Sequence, residues 1–133
     1  MKLAVDTNVL VRAVVLDDAA QAGVAAKLLN DAELIAVALP CLCEFVWVLR
    51  RVYHFEVSDV AGAIRALLAA GNVEVNRPAV EAGLSVFEAG GDFADGVIAY
   101  EGRWLGGESF VSFDKNAIAR LKAKGYSARL LSA

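Results

Sequence analysis

Lys2-Leu3-Ala4-Val5-Asp6-Thr7-Asn8-Val9-Leu10-Val11-Arg12 changes its apolar period in mid-run. Up to Val5 the residues read as a short strand; from Asp6 onward the apolar positions fall on one face of a helix. The segment therefore predicts a strand that turns directly into a helix, with Asp6 at the corner. Ser109-Phe110-Val111-Ser112-Phe113-Asp114, followed by the amphipathic run from Asn116 to Lys124, predicts a second corner of the same kind. In a parallel sheet every strand points one way, so the C-terminal ends of neighbouring strands share a rim, where open α/β folds bind ligands. Asp6 and Asp114 are expected at that rim.

Working outward from these corners, the pattern predicts strands near 2–6, 34–39, 73–76, 109–113 and 128–131. Helices are predicted near 8–16, 18–30, 41–53, 59–70, 79–89, 94–104 and 116–124. Such alternation implies crossover units and a mostly parallel central sheet of four to five strands, an α/β fold. Pro78 suits the first turn of a helix. Gly71, Gly90-Gly91, Gly106-Gly107 and Gly125 punctuate helix ends. There is no internal repeat or linker, and Gly90-Gly91 lacks the spacing of a phosphate-binding loop. The 133 residues suit one compact domain.

Two further acids stand out. Glu44 lies inside Cys41-Leu42-Cys43-Glu44-Phe45-Val46-Trp47-Val48-Leu49, so apolar a segment that a buried carboxylate is expected. Burial would cost several kcal/mol unless the group were protonated, hydrogen-bonded, paired with Arg50 or Arg51, or bound to a cation. Asp95, in Gly91-Asp92-Phe93-Ala94-Asp95, falls in the first turn of a helix that Asp92 is placed to cap. Asp6 and Asp114 also suit helix caps, a purely structural use. Cys41 and Cys43 are too close for an ordinary disulfide and lack partners for a zinc site, so buried thiols are expected. His54, the single histidine, rules out a His-rich metal site, and no serine sits in a nucleophile elbow.

Taken together these pieces resemble a PIN-domain ribonuclease, and within that family the toxin half of a VapBC-type toxin–antitoxin pair. The resemblance is carried by Val5-Asp6-Thr7-Asn8-Val9-Leu10-Val11-Arg12, by Pro40 with Glu44 and Trp47-Val48-Leu49, by Asp92-Phe93-Ala94-Asp95 with Ile98-Ala99, and by Ser112-Phe113-Asp114-Lys115. It implies that Asp6, Glu44, Asp95 and Asp114 are catalytic metal ligands, supported by Asn8, Ser112 and Asp92. Asn8 is expected to brace Asp6, and Ser112 to orient a water or the phosphate. Oxygen-rich acids suit Mg²⁺, with Mn²⁺ able to substitute. The implied reaction is in-line attack of metal-activated water on an RNA phosphodiester, leaving 5′-phosphate and 3′-hydroxyl ends. The resemblance also implies a homodimer and a VapB-type antitoxin that lays a helix along a groove, for which Phe45, Trp47 and Tyr53 are candidates.

The composition is compatible with this picture. A hydrophobic content of 58% and a mean hydropathy of +0.52 fit a sheet covered on both faces. The most apolar stretch, Leu34 to Leu49, is broken by Pro40 and Glu44, short of the ~20 apolar residues of a membrane span. Asp6 and Arg12 interrupt any leader-like run, so a cytoplasmic location is expected. A net charge of −3 becomes +1 without the four acids, leaving Arg12, Arg50 and Lys115, with Arg51 and Arg120, as candidates for RNA phosphates. A haloacid-dehalogenase-type phosphatase would need Asp at position 8, where Asn8 stands. A receiver domain would need an acceptor Asp where Leu39-Pro40 stands. The competing readings are a PIN-fold nuclease of RNA processing and an inactive interaction module.

Overall fold

The computed structural model describes residues 1–133. Its strands are β1 (Lys2–Ala4), β2 (Leu34–Ala36), β3 (Val73–Glu74), β4 (Phe110–Ser112) and β5 (Ala128–Leu130). Its helices are α1 (Thr7–Val14), α2 (Ala19–Asp31), α3 (Leu39–Arg51), α4 (Val57–Ala69), α5 (Arg77–Glu88), α6 (Phe93–Trp104) and α7 (Lys115–Ala123). Every expected element occurs, in order, as an α/β fold with parallel strands. The strands are shorter than expected, in β1 because its last expected residue is the cap of the next helix. Asp6 has extended backbone (φ −90, ψ 175) while its side chain caps α1. Pro40 and Pro78 both lie in the first turn of their helices, where a missing N–H costs nothing.

Hydrogen bonding divides the five strands between two parallel ladders, β1-β2-β3 and β4-β5, where one sheet was expected. Asp6 and Asp114 therefore follow strands of different ladders. The chain likewise forms two compact units, Met1–Arg77 and Pro78–Ala133.

In the N-terminal unit β2 is central, with Leu3 opposite Ile35 and Ile35 opposite Val73. Ile35, Leu10, Leu42, Phe45, Leu49, Val60 and Ile64 are all but inaccessible to solvent. Burying each such side chain contributes about 1.5–3 kcal/mol, which is why α1 and α3, holding most of them, are fixed in place. Helix α1 packs on α2 and α3, and α3 on α4. After α3 the chain turns through His54, exposed and in the left-handed region at φ 56. Phe55 N–H donates to the Leu49 carbonyl at 2.9 Å, and Arg50 Nη1 to the Phe55 carbonyl at 2.8 Å, closing that turn.

In the C-terminal unit β4 and β5 pair with Phe110 opposite Ala128 and Ser112 opposite Leu130, and α7 packs on both. Val86, Ala99 and Leu121 form a core against which Phe110, Tyr126 and Ala128 pack. Helices α5 and α6 approach until their backbones touch. A Cβ at Gly96 would lie 2.6 Å from the Ala82 carbonyl oxygen, and one at Gly83 would lie 2.8 Å from the Phe93 ring. No other residue type fits there without displacing a helix. That contact sets where the first turn of α6, and hence Asp95, is held.

Candidate active-site acids

In the N-terminal unit Asp6 is the N-cap of α1, exposed, with Oδ1 accepting from Val9 N–H at 3.2 Å. The cap satisfies one of the free N–H groups of the first turn and fixes the carboxylate rotamer. The brace is thus the Val9 backbone and not Asn8, which is exposed and makes no hydrogen bond to Asp6.

Glu44, expected to be buried, is exposed. The buried face of α3 is Leu42, Phe45, Val46 and Leu49, and Glu44 lies on the opposite face with Trp47, itself 59% exposed. The apolar run misled because Trp47 contributes hydrophobicity without entering the core. Glu44 pairs with neither Arg50 nor Arg51. Cys41 and Cys43 form no disulfide and are half-buried, not fully buried as expected, at the margins of the α3 core face. The Thr7 hydroxyl donates to Cys41 Sγ at 3.9 Å. Burial pushes the Cys41 thiol up; the Thr7 bond opposes this, while the charges of Asp6 and Glu44 add to it. The fields of Asp6 and Glu44 therefore overlap at Cys41, so the β1–α1 corner and α3 present one acidic locality.

Arg12 is already engaged. Its Nη1 bridges to Asp17 at 2.7 Å, and Nη2 donates to the Tyr53 hydroxyl at 3.4 Å, tying α1 to the start of α2 and the end of α3. Of the aromatic groove candidates, Phe45 is core, Tyr53 is half-buried and Trp47 is exposed.

In the C-terminal unit Asp92 caps α6, accepting from Ala94 N–H at 2.8 Å, and Asp95 follows in the first turn. Asp95 is half-buried; burial pushes its carboxyl up, and the charges of Asp92 and Asp114 push it further. Asp114 caps α7, its Oδ1 accepting from Asn116 N–H at 2.9 Å and Ala117 N–H at 3.1 Å. Ser112 Oγ accepts from Asp114 N–H at 2.9 Å, which fixes the corner and leaves the hydroxyl proton free to donate. Lys115, exposed in the first turn of α7, makes no ion pair. Arg120 donates to the Ala89 carbonyl at 3.0 Å and holds the Gly90 turn that precedes Asp92.

Within neither unit do three His, Cys, Asp or Glu side chains gather closely enough to hold an ion. The donor chemistry nevertheless fits a hard cation: carboxylate oxygens, mutually repelling at Asp95, and none of Asp6, Glu44, Asp95 or Asp114 in a salt bridge. Asp6 and Asp114 each commit Oδ1 to capping and keep Oδ2 unbonded. Thr7 and Gly96 were not singled out by the sequence, and Tyr53 was read only as a groove candidate and not as a partner of Arg12. A polar residue at the first helical position was the available signal for Thr7; the other two depend on partners remote in the chain.

No helix is long and apolar enough to cross a membrane. The family profile described as PIN domain matches residues 3–124. The match runs through both units and includes all four acids. No curated protein matches the chain significantly.

Proposed function

The chain belongs to the PIN-domain family, whose members are in general nucleases, and on that premise we propose that it is a Mg²⁺- or Mn²⁺-dependent endoribonuclease using Asp6, Glu44, Asp95 and Asp114. One observation carries this reading: none of these four acids is neutralised by a basic side chain. The cost to the fold falls on half-buried Asp95, whose carboxyl is pushed up by burial and by the charges of Asp92 and Asp114, and acids without a basic partner stay open to a cation.

A bound divalent ion supplies a lowered water pKa and a polarised phosphoryl oxygen. The protein's own part is positioning. Asp6 and Asp114 are held by backbone N–H groups through one oxygen, so the other stays free in a fixed direction. Glu44 and Asp95 stand on helices whose backbones are anchored by core residues, which fixes where each side chain starts. Ser112 can donate its hydroxyl proton to a phosphate oxygen or a water. Lys115, and Arg50 beyond its bond to Phe55, offer positive charge for the strand.

The same proposal includes a toxin role, a homodimer and a helical antitoxin. Support comes from the quoted sequence pieces and from a hollow of about 360 Å³ between α1 and α2, walled by Val9, Val24, Ala25 and Leu28, with Val24 72% exposed. An apolar hollow of this kind suits one face of an amphipathic helix.

The test is cleavage of total cellular RNA with Mg²⁺ or Mn²⁺, with EDTA, and by Asp95→Asn. Discrete fragments requiring both metal and Asp95 are expected. Identical fragments from wild type and variant would mean contamination, and no cleavage by folded, metal-supplied protein would move the interaction-module reading ahead. A small neighbouring gene whose product stops cleavage would separate toxin from RNA processing.

A further inference from the structure

We propose that the C-terminal unit carries a subsite for a single nucleobase, one bearing an exocyclic amino group, in the hollow between the end of α6 and the start of β4. The hollow has a volume of about 210 Å³ and is lined by Ile98, Arg103, Glu108, Ser109, Tyr126 and Ser127 among others. That is below the ~300–1,000 Å³ of sites for drug-sized ligands and cofactors, and suits one flat ring system.

Three features of its wall match base recognition. The Arg103 guanidinium carbon lies 4.4 Å from the Tyr126 ring centroid, which presents a planar cation already ordered by an aromatic ring. Bases of single-stranded RNA stack on such guanidinium and aromatic planes. Arg103 and Glu108 border the same hollow without forming a salt bridge, so both keep their hydrogen-bonding capacity for a ligand. Ser127 Oγ donates to Ser109 Oγ at 3.2 Å, leaving a hydroxyl proton and lone pairs at the mouth.

Glu108 gives the subsite its selectivity. An ionised carboxylate only accepts hydrogen bonds; adenine, cytosine and guanine offer it an exocyclic amino group, whereas the N3–H of uracil is flanked by two carbonyl oxygens that a carboxylate repels. Ile98, 54% exposed, supplies apolar surface for the ring. Asp95 and Arg103 lie eight positions apart on α6, about 12 Å along its axis, so the base read is not the one at the cut. That the base belongs to an RNA strand rests on the nuclease reading.

The experiment is a titration of the intact ¹⁵N-labelled protein with AMP, CMP and UMP in EDTA, followed by amide shifts, with RNA cleavage measured separately on the same preparations. AMP and CMP are expected to shift the amides of Arg103, Ser109 and Ser127, and UMP to bind at least about tenfold more weakly. Arg103→Lys, which keeps the charge and loses the planar stack, should weaken AMP binding by about tenfold. Glu108→Gln should bring UMP level with CMP. The proposal is overturned if no nucleotide shifts those amides, if UMP binds as well as AMP, or if an acidic peptide displaces AMP while Glu108→Gln changes nothing. Metal-dependent cleavage without nucleotide binding here would sink the subsite and leave the nuclease standing. Binding here without cleavage would do the reverse.

Discussion

The two units present their acids in parallel ways and hold them differently. Each offers one aspartate as an N-cap at a strand-to-helix corner and a second acid on a helix. In the N-terminal unit both acids are exposed, and their field is registered by a neighbour, the half-buried Cys41 thiol. In the C-terminal unit the field falls on an acid itself, the half-buried Asp95. Asp6 is braced by one backbone N–H and Asp114 by two, with Ser112 fixing its own N–H. The packing differs in the same sense. Gly23, Gly62 and Gly71 have open space where a Cβ would go, whereas Gly83, Gly91 and Gly96 are hemmed in. Packing is thus tightest where α5 meets α6, and the position of Asp95 depends on that backbone contact.

The largest test of that contrast is Gly96→Ala. A Cβ 2.6 Å from a backbone carbonyl oxygen must push α6 from α5, and a loss of about 3 kcal/mol is expected in urea unfolding. Next come the caps. Asp114→Ala should cost about 1.5 kcal/mol and Asp6→Ala about 1 kcal/mol, since two N–H groups are orphaned in one case and one in the other. Asn at either position caps nearly as well as Asp, so Asp6→Asn and Asp114→Asn should keep their melting temperatures while losing RNA cleavage. If Asn restores both stability and cleavage, the acids are caps and nothing more.

Smaller still, Gly62→Ala in α4 should stabilise by about 0.5–1 kcal/mol, the opposite sign to Gly96→Ala, because no atom lies within 4 Å of the added methyl. The electrostatic effects come last. Asp95 has its folded pKa raised, so its contribution to stability is full while the unfolded carboxyl is protonated and is lost as pH rises through the folded value. Asp95→Asn should therefore gain stability over wild type as pH climbs across that window and hold a constant advantage above it, read by thermal melts at several pH values. In the other unit, Asp6→Asn or Glu44→Gln should speed alkylation of Cys41 by a few-fold at fixed pH, since removing a negative neighbour increases the thiolate fraction. Peptide mapping separates Cys41 from Cys43.

Much of this was legible in the chain. Asp6, Asp92 and Asp114 could be placed as caps because capping is local, settled within three residues by extended backbone and a free N–H. Asp95 in a first turn followed from Asp92 for the same reason. Glu44 was misplaced because hydropathy counts Trp47 and the cysteines as core, while burial is decided by which helical face meets α1 and α4. Arg12, a candidate for phosphate contact, pairs with Asp17 and with Tyr53, the latter too remote in the chain for local pattern to show.

By itself, then, the sequence determined the order and type of all the elements, their parallel sense, and the residues that start each helix, all properties of short-range periodicity and backbone satisfaction. Tertiary structure decided the division of the strands into two ladders, the exposure of Glu44, the raised Asp95 carboxyl, the contact of Gly96 with α5 and the stacking of Arg103 on Tyr126. Each depends on groups remote in the chain coming within a few ångströms, and excluded volume and electrostatics act at that range with no trace in local pattern.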